Sequence, residues 1–440
     1  MNVKSKKTSK KTISRSAPTN DKSIDFVSAV LSAATAIDKR QIFEPTPLQL
    51  NAFLSARYGA RIYLKREDLT PVRSYKLRGA FNFFRKSLDR VSKDSKFVCA
   101  SAGNHAQGFA FACRHFDVKG TVYMPVTTPK QKIHKTQVFG GAHVDIRLEG
   151  DIFDQCNIAA RAFADDIKAH FVPPFDHLDI IEGQATVGLE ILDQSPEPID
   201  ILIIPVGGGG LAAGVTQIMS SLSPKTKVIL VEPAGAASLK QSLESGKRVK
   251  LPQIDNFVDG AAVAQIGTSN FDLLRGYKAE DVILIDENKL CETIIEMLNI
   301  EGIVLEPAGA LEVDALRYIP SDMLKNKAVV CLTSGGNFDF ERLPEVKERA
   351  LKASGRKKYY ILRLPQRPGA LREFLDLLGP DDDVARFEYL KKSARNFGSI
   401  LLGIETPEPE NFEILNEKMT KAGFQYEDIT NDEVVSSFII

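Results

Sequence analysis

The residues whose types could do chemistry together sit in three turns and beside one lysine. Val206-Gly207-Gly208-Gly209-Gly210-Leu211 follows the apolar run DILIIPV and opens an apolar helical stretch. Four glycines let the backbone turn tightly and aim several N–H groups from a helix N-terminus, a setting that favours an anion, most naturally a phosphate. Gly208-x-Gly210-x-x-Ala213 also fits a dinucleotide fingerprint, with Glu232 as the acid that would meet a ribose hydroxyl. That match is weak, because a run of four glycines meets the spacing almost automatically. No GxxxxGK(S/T) occurs, so a Walker-type site is excluded.

Lys76 lies in Ser74-Tyr75-Lys76-Leu77-Arg78-Gly79-Ala80, at the start of a predicted helix. A lysine that forms an imine with an aldehyde needs its pKa lowered by burial or by nearby cations. Lys65, Arg66, Arg73 and Arg78 are expected to supply positive potential there. Taken alone, Lys76 reads as a solvated lysine at a helix start. Ser101-Ala102-Gly103-Asn104-His105 follows the strand FVCA, a second anion cradle suited to a carboxylate. Thr333-Ser334-Gly335-Gly336-Asn337 places hydroxyls after the strand AVVCL. Ligands gather at such strand ends in parallel sheets.

The elements that must position these turns alternate. Between about Arg61 and Gly336, short apolar runs such as RIYLKRE, FVCAS, GTVYMP, DILIIPV, KVILVEP and DVILIDE alternate with amphipathic stretches. In SYKLRGAFNFFRKSL, Leu77, Phe81, Phe84 and Leu88 recur at helical spacing. Strands apolar throughout and alternating with helices predict an α/β body of parallel sheets covered on both faces. After about Glu345 the order becomes strand, helix, strand, strand, helix, strand, the βαββαβ plan of a small antiparallel α+β unit. Its roughly 80 residues are few for independent stability, so it should pack against another copy or the body.

Composition closes off other classes. The 440 residues carry 57 basic and 57 acidic side chains, which argues against nucleic-acid binding. Six of the basic groups fall within residues 1–20, where no acid occurs, so 1–24 reads as a basic, disordered tail. The longest uncharged run, Ile201 to Pro224, is interrupted by glycines, a proline and hydroxyls, which argues against a membrane span. Five scattered cysteines without a CxxC pair suggest reduced, buried thiols in a cytoplasmic protein. Six histidines without an HExxH arrangement give metal catalysis little support, and no metal is expected.

The motifs SYKLRGA, SAGNHAQG, PVGGGGLAAG, FVDGAAV, LEPAGA and LTSGGN, in that order, closely resemble those of the threonine dehydratases. These are pyridoxal-phosphate enzymes of the tryptophan-synthase-β fold class (fold type II). The likeness runs from about Gln41 to Leu343, and the tail resembles the family's ACT-like regulatory domain. It implies a catalytic body at 25–346 with a smaller subdomain inserted at roughly 66–165, a linker at 347–357 and an ACT-like domain at 358–440. Carried over by motif, Lys76 holds pyridoxal 5'-phosphate covalently and Asn104 hydrogen-bonds its ring oxygen. Gly207, Gly208, Gly209, Gly210 and Leu211 cradle the phosphate, and Ser334 faces the pyridine nitrogen. Ser101, Gly103, Asn104 and His105 fall in the loop used for the substrate carboxylate.

The implied reaction is β-elimination and deamination of L-threonine to 2-oxobutanoate and ammonia, the first step of isoleucine biosynthesis. The resemblance further implies a cytoplasmic homotetramer inhibited by L-isoleucine, with Gly369, Ala370 and Leu371 at the effector turn. Some relatives bind a cation through an acid after the strand and a second acid a few residues on; Glu232 is followed by no second acid. A degradative serine/threonine dehydratase or serine racemase shares the catalytic motifs, though the added domain argues against it. From other classes, a nicotinamide-dependent oxidoreductase and a non-catalytic amino-acid sensor remain open.

Overall fold

The computed structural model describes residues 20–39, 42–92, 94–390 and 397–432. Among the described residues, fourteen strands form three sheets. The first contains β1 (Leu48–Leu50), β2 (Arg61–Arg66), β7 (Ile201–Pro205), β8 (Lys227–Pro233), β9 (Val282–Ile285) and β10 (Ala328–Thr333), in the order β1-β2-β10-β7-β8-β9. The second contains β3 (Phe97–Ala100), β4 (Gly120–Met124), β5 (Val144–Leu148) and β6 (His170–Phe171), in the order β5-β4-β3-β6. All their pairings are parallel except β1 on β2, an antiparallel edge that the expectation of parallel sheets did not include.

Strands β7 and β10 are buried at every position, which is why they read as unbroken apolar runs. Helices cover both faces of the first sheet. One core gathers Ile62, Leu64, Ile203 and Val329, and the other gathers Leu202, Ile204, Val330 and Leu332. Alternation along each strand divides the side chains between these two cores.

The second sheet is backed by the helices Lys76–Leu88 and Asn104–Phe116, whose Phe84, Phe109 and Cys113 form a third core with Phe97 of β3. Leu77 and Phe81 are buried as the helical spacing predicted. The last strand of this sheet is only two residues long and lies at His170–Phe171, beyond the expected end of the smaller subdomain near 165. So short a strand gives no periodicity to read.

Two expectations need correction. A helix begins at Asn20, inside the stretch expected to be a solvated tail, and it buries Val30, Ala33 and Ile37 at helical spacing. Residues 1–19 lie outside the described residues. Three of the four cations expected to bias Lys76, namely Lys65, Arg66 and Arg78, are instead engaged with carboxylates. Arg78, fully buried, donates to Glu67 (2.7 and 2.8 Å) and to Glu190 (2.6 and 2.9 Å). Lys65 donates to Glu190 (2.6 Å), and Arg66 to Asp68 (2.8 and 2.9 Å). Because both partners are charged and buried, their fields largely cancel at a distance.

The C-terminal unit is β11 (Lys357–Pro365), β12 (Asp383–Leu390), β13 (Phe397–Glu405) and β14 (Gln425–Asp428), with helices Ala370–Leu375 and Asn411–Lys421. Its order, β12-β13-β11-β14, is antiparallel throughout, as the βαββαβ reading expected. Its core holds Tyr360, Leu362, Phe374, Leu402, Phe412 and Met419. All five cysteines are free and buried.

The Arg78 network sets a stability test. Arg78→Ala strands Glu67 as a buried, uncompensated carboxylate, and a loss of about 3–5 kcal/mol is expected in urea unfolding. The double variant Arg78→Met/Glu67→Gln should regain most of it. Equal losses in the two would show that packing, rather than unpaired charge, holds this corner together.

Candidate active site

Both parallel sheets turn their carboxyl ends toward one cavity of about 940 Å³. Strand β3 ends at Ala100 and delivers Ser101, Gly103, Asn104 and His105 to its wall, β7 delivers Gly207, and β10 delivers Ser334 and Asn337. Lys76 comes from the first residue of the helix Lys76–Leu88. Seven of the residues expected from the sequence therefore share this cavity: Lys76, Ser101, Gly103, Asn104, His105, Gly207 and Ser334.

Lys76 is not solvated like an ordinary helix-start lysine. Its Nζ donates to the Pro174 carbonyl at 3.0 Å and lies 5.3 Å from the Tyr75 ring centroid. Burial pulls its pKa down to about 8, against an opposing pull from Glu306. Desolvation, and not neighbouring cations, therefore makes this amine available as a neutral base. Gly108, the last residue of SAGNHAQG, has a packing reason: a Cβ there would come 3.2 Å from the Lys76 carbonyl.

Asn104 is held from both sides. Its Nδ2 donates to Glu306 Oε1 at 2.5 Å, and its Oδ1 accepts from Asn337 Nδ2 at 2.7 Å. Asn337 also donates to the Val72 carbonyl at 2.8 Å. One Asn104 hydrogen and one lone pair remain to address a ligand. Glu306 is buried, and burial first of all, then Asp259, raises its pKa to about 7. Residue-type reasoning assigned no role to Glu306, Asn337 or Pro174. The motifs LEPAGA and LTSGGN contain the first two, but only the fold brings them to Asn104.

His105 Nε2 lies 3.0 Å from the Val172 carbonyl, and burial, then Lys76, drives its pKa down to about 3. It is therefore a neutral ring that donates through Nε2. A carboxylate in this corner would have to rely on backbone N–H groups at the start of the helix Asn104–Phe116 rather than on imidazolium charge. Ser101 Oγ accepts from the Gly103 amide at 3.2 Å.

In the glycine turn, Gly209 takes φ +90° and caps the helix Gly210–Leu222. A Cβ on Gly207 would come 2.8 Å from Ala261 Cα, and one on Gly208 would overlap the Phe175 ring. The first amides of that helix have no intrahelical acceptor. Gly207 lines the cavity, and Gly208 to Leu211 continue the turn from it into the helix Gly210–Leu222. Ser334 Oγ donates to the Ala308 carbonyl at 3.1 Å.

Glu232 does not serve a dinucleotide. It is fully buried and accepts from the amides of Leu239 (2.7 Å) and Lys240 (2.9 Å), with burial pushing its pKa up to about 8. Among the described residues, no three His, Cys, Asp or Glu side chains gather as a metal site, and no helix is long and apolar enough to cross a membrane.

A desolvated amine, a glycine turn opening a helix and a neutral hydroxyl, all at the carboxyl ends of two parallel sheets, suit a cofactor with an aldehyde, a phosphate and a ring nitrogen. Residues 39–335 match the family model described as pyridoxal-phosphate dependent enzyme, and 348–439 match the C-terminal regulatory domain of threonine dehydratase. A biosynthetic L-threonine dehydratase of Bacillus subtilis is 47% identical over 396 residues, covering 90% of this chain and 93% of that protein. One from Halalkalibacterium halodurans is 45% identical, covering 90% and 95%. The processed form of threonine deaminase isoform 2 from Solanum lycopersicum superposes with a TM-score of 0.70 at 36% identity, covering 76% of this chain and 94% of that one. The chain belongs to the pyridoxal-phosphate-dependent enzymes, and within them to the threonine dehydratases that carry a C-terminal regulatory domain. Its cofactor is pyridoxal phosphate.

The raised pKa of Glu306 makes stability depend on pH. Unfolded, the carboxyl ionises near 4.5; folded, near 7, so the folded state binds more protons between those values. Its favourable contribution is complete below about 4.5 and is lost as pH rises through 7. Thermal unfolding of the apoprotein should therefore show Glu306→Gln gaining on the wild type from pH 4.5 to 7, by on the order of 3 kcal/mol, and holding that gap above. A gap independent of pH would place the carboxyl in water.

Proposed function

We propose that this protein removes the β-hydroxyl and the amine from L-threonine, giving 2-oxobutanoate and ammonia. This would be the entry step to isoleucine, performed under feedback from L-isoleucine. The observation that carries this reading is the joining, in one polypeptide, of the Lys76 cavity to the C-terminal antiparallel unit, over nearly the full length of the biosynthetic relatives.

Pyridoxal phosphate, when bound, supplies an electron sink for negative charge developing at the substrate's α-carbon. The chain's own residues do the rest. Lys76 Nζ anchors the cofactor and, once released as a neutral amine, takes the proton from the α-carbon. The same ammonium then returns a proton to the departing β-hydroxyl. Asn104, oriented by Glu306 and Asn337, would hydrogen-bond the ring's oxygen with its remaining polar capacity. Amides of the Gly207–Leu211 turn hold the phosphate. Ser334, a neutral hydroxyl, does not stabilise a protonated ring nitrogen as a carboxylate would, which favours prompt loss of the β-substituent over transamination. Ser101, Gly103 and the first amides of the helix Asn104–Phe116 receive the substrate carboxylate.

The same reading makes 25–346 the catalytic body with an inserted smaller part and 358–440 the regulatory unit, in a cytoplasmic homotetramer; of the linker expected at 347–357, residues up to Ala353 continue the helix Leu343–Ala353, with Ala350 in the body's core, and Lys357 opens β11. Isoleucine is assigned to the turn at Gly369, Ala370 and Leu371. There Gly369 takes φ +86°, Ala370 is buried and Leu371 is exposed.

Two measurements test this. Release of 2-oxobutanoate should fall at least about 10³-fold in Lys76→Ala, and borohydride reduction of the holoenzyme followed by peptide mass spectrometry should place the cofactor on Lys76. Because the amine must be neutral to accept a proton, kcat should climb as pH rises through about 8 and then level. kcat/KM for threonine and for serine, with and without isoleucine, decides the biosynthetic role. Activity indifferent to isoleucine removes it, and a clear preference for serine moves the protein to the degradative type.

A further inference from the structure

The FVDGAAV segment lines the cavity through Asp259, Gly260, Ala261, Ala262 and Val263, yet Phe257, at its start, points elsewhere. Phe257 is buried, and two guanidinium groups stand over its ring, Arg342 at 4.7 Å and Arg349 at 4.3 Å from the centroid. Arg342 also donates to the Phe257 carbonyl at 3.1 Å. Glu345 binds both arginines, accepting from Arg342 Nε at 3.2 Å and from Arg349 Nε at 3.1 Å. The carboxylate fixes the two cations, and the cations fix the ring.

Arg349 and Glu345 lie on the helix Leu343–Ala353, and Arg342 is its N-cap. Val346 and Ala350 of that helix are buried in the core beneath the first sheet. Its Glu348 faces the other way in function: Oε2 accepts from Lys357 Nζ at 2.6 Å and Oε1 from the Tyr359 hydroxyl at 2.8 Å. Lys357 and Tyr359 belong to β11 of the C-terminal sheet, and Lys357 also donates to Glu405 of β13 at 2.9 Å. One three-turn helix thus grips the cavity-lining segment at its start and the regulatory sheet along its length. At the far side of the same segment, Asp259 pairs with Lys132 of the opposite subdomain at 2.5 Å.

We infer that Arg342 and Arg349 are positioning residues for the substrate cavity, holding the Phe257–Val263 segment in place. We further infer that Glu348 is the point at which the regulatory sheet acts on that hold. The second half rests on the isoleucine reading above; the first does not. A shift of the C-terminal sheet transmitted through Lys357 and Tyr359 would move the helix that carries both arginines, and with it one wall of the cavity. Lys76, Asn104 and Ser334 stand on other elements and are left in place.

The test uses the full-length holoenzyme. In Arg342→Met/Arg349→Met the charges over Phe257 are lost while much of the aliphatic bulk is kept. KM for threonine should rise about tenfold while kcat stays within about twofold. Arg342→Lys/Arg349→Lys should restore much of the affinity, because an ammonium still attracts the ring. An unchanged KM, or kcat and KM falling together with thermal stability, overturns the positioning role. Glu348→Gln should keep the basal kcat and KM, still bind isoleucine by calorimetry, and lose most of the inhibition seen in the wild type. Inhibition retained in full overturns the coupling. A wild type that neither binds nor responds to isoleucine refutes the coupling together with the feedback reading, while the arginine variants still decide the positioning role alone.

Discussion

Withdrawing one primary amine from water is the constraint on which the rest of this structure depends. Lys76 opens a helix, where the unsatisfied N–H groups of the first turn already disfavour a positive charge, and the walls of the cavity remove most of its hydration. Only Glu306 pulls the other way. The outcome is an amine poised near pH 8 rather than one fixed as ammonium, and that is what a group which must both bond and carry protons requires. The framework of two parallel sheets serves this end, because it brings the ends of β3, β7 and β10 to one place without exposing the helix that carries Lys76.

The surroundings keep other charge away from that amine. Arg78, two residues along the chain, could have lowered the pKa by repulsion, but it is neutralised by Glu67 and Glu190 on the far side of its helix. Lys65 shares Glu190. Burying this group costs desolvation that a purely apolar filling would avoid, so its use lies in geometry: it ties the helix Lys76–Leu88 to β2 and to the helix Leu178–Gln194. The helix that bears the reactive amine is thereby held at its buried face, and Gly108 lets a second helix press against its first turn.

Much of the site could be read from the chain because its parts lie at strand ends, where glycines, small residues and capping groups have local causes. The glycine turn and the SAGNH turn announce themselves by composition, and the parallel body announces itself by strands apolar on both faces. Lys76 did not; its type and position fit a solvated lysine equally well, and only the company of the other motifs singled it out. Glu306, Asn337 and Pro174 were silent, since a carboxylate before a proline or an asparagine after two glycines acquires meaning only from partners far away in the chain, 98 to 233 residues for these three. Lys65 and Arg78 misled for the same reason: adjacency in sequence showed the charges but not Glu190, which lies over a hundred residues further on. The tail read at 1–24 overran the start of the first helix, because the basic stretch before it gives no signal of where the helix carrying Val30, Ala33 and Ile37 begins.

The titrations of Lys76 and Glu306 have a consequence for anion binding. With the amine near 8 and the carboxyl near 7, the two exchange protons over the same narrow range, and their summed charge crosses zero between those values, positive below and negative above. His105 is neutral as well. Between those values these three groups offer a phosphate and a carboxylate little net positive charge, and attraction comes largely from oriented backbone amides at the two helix starts, Asn104 and Gly210. Such amides carry no proton to lose, so their own attraction for an anion persists as the amine and the carboxyl titrate. Proton transfer and most of the ligand holding are thus assigned to different groups.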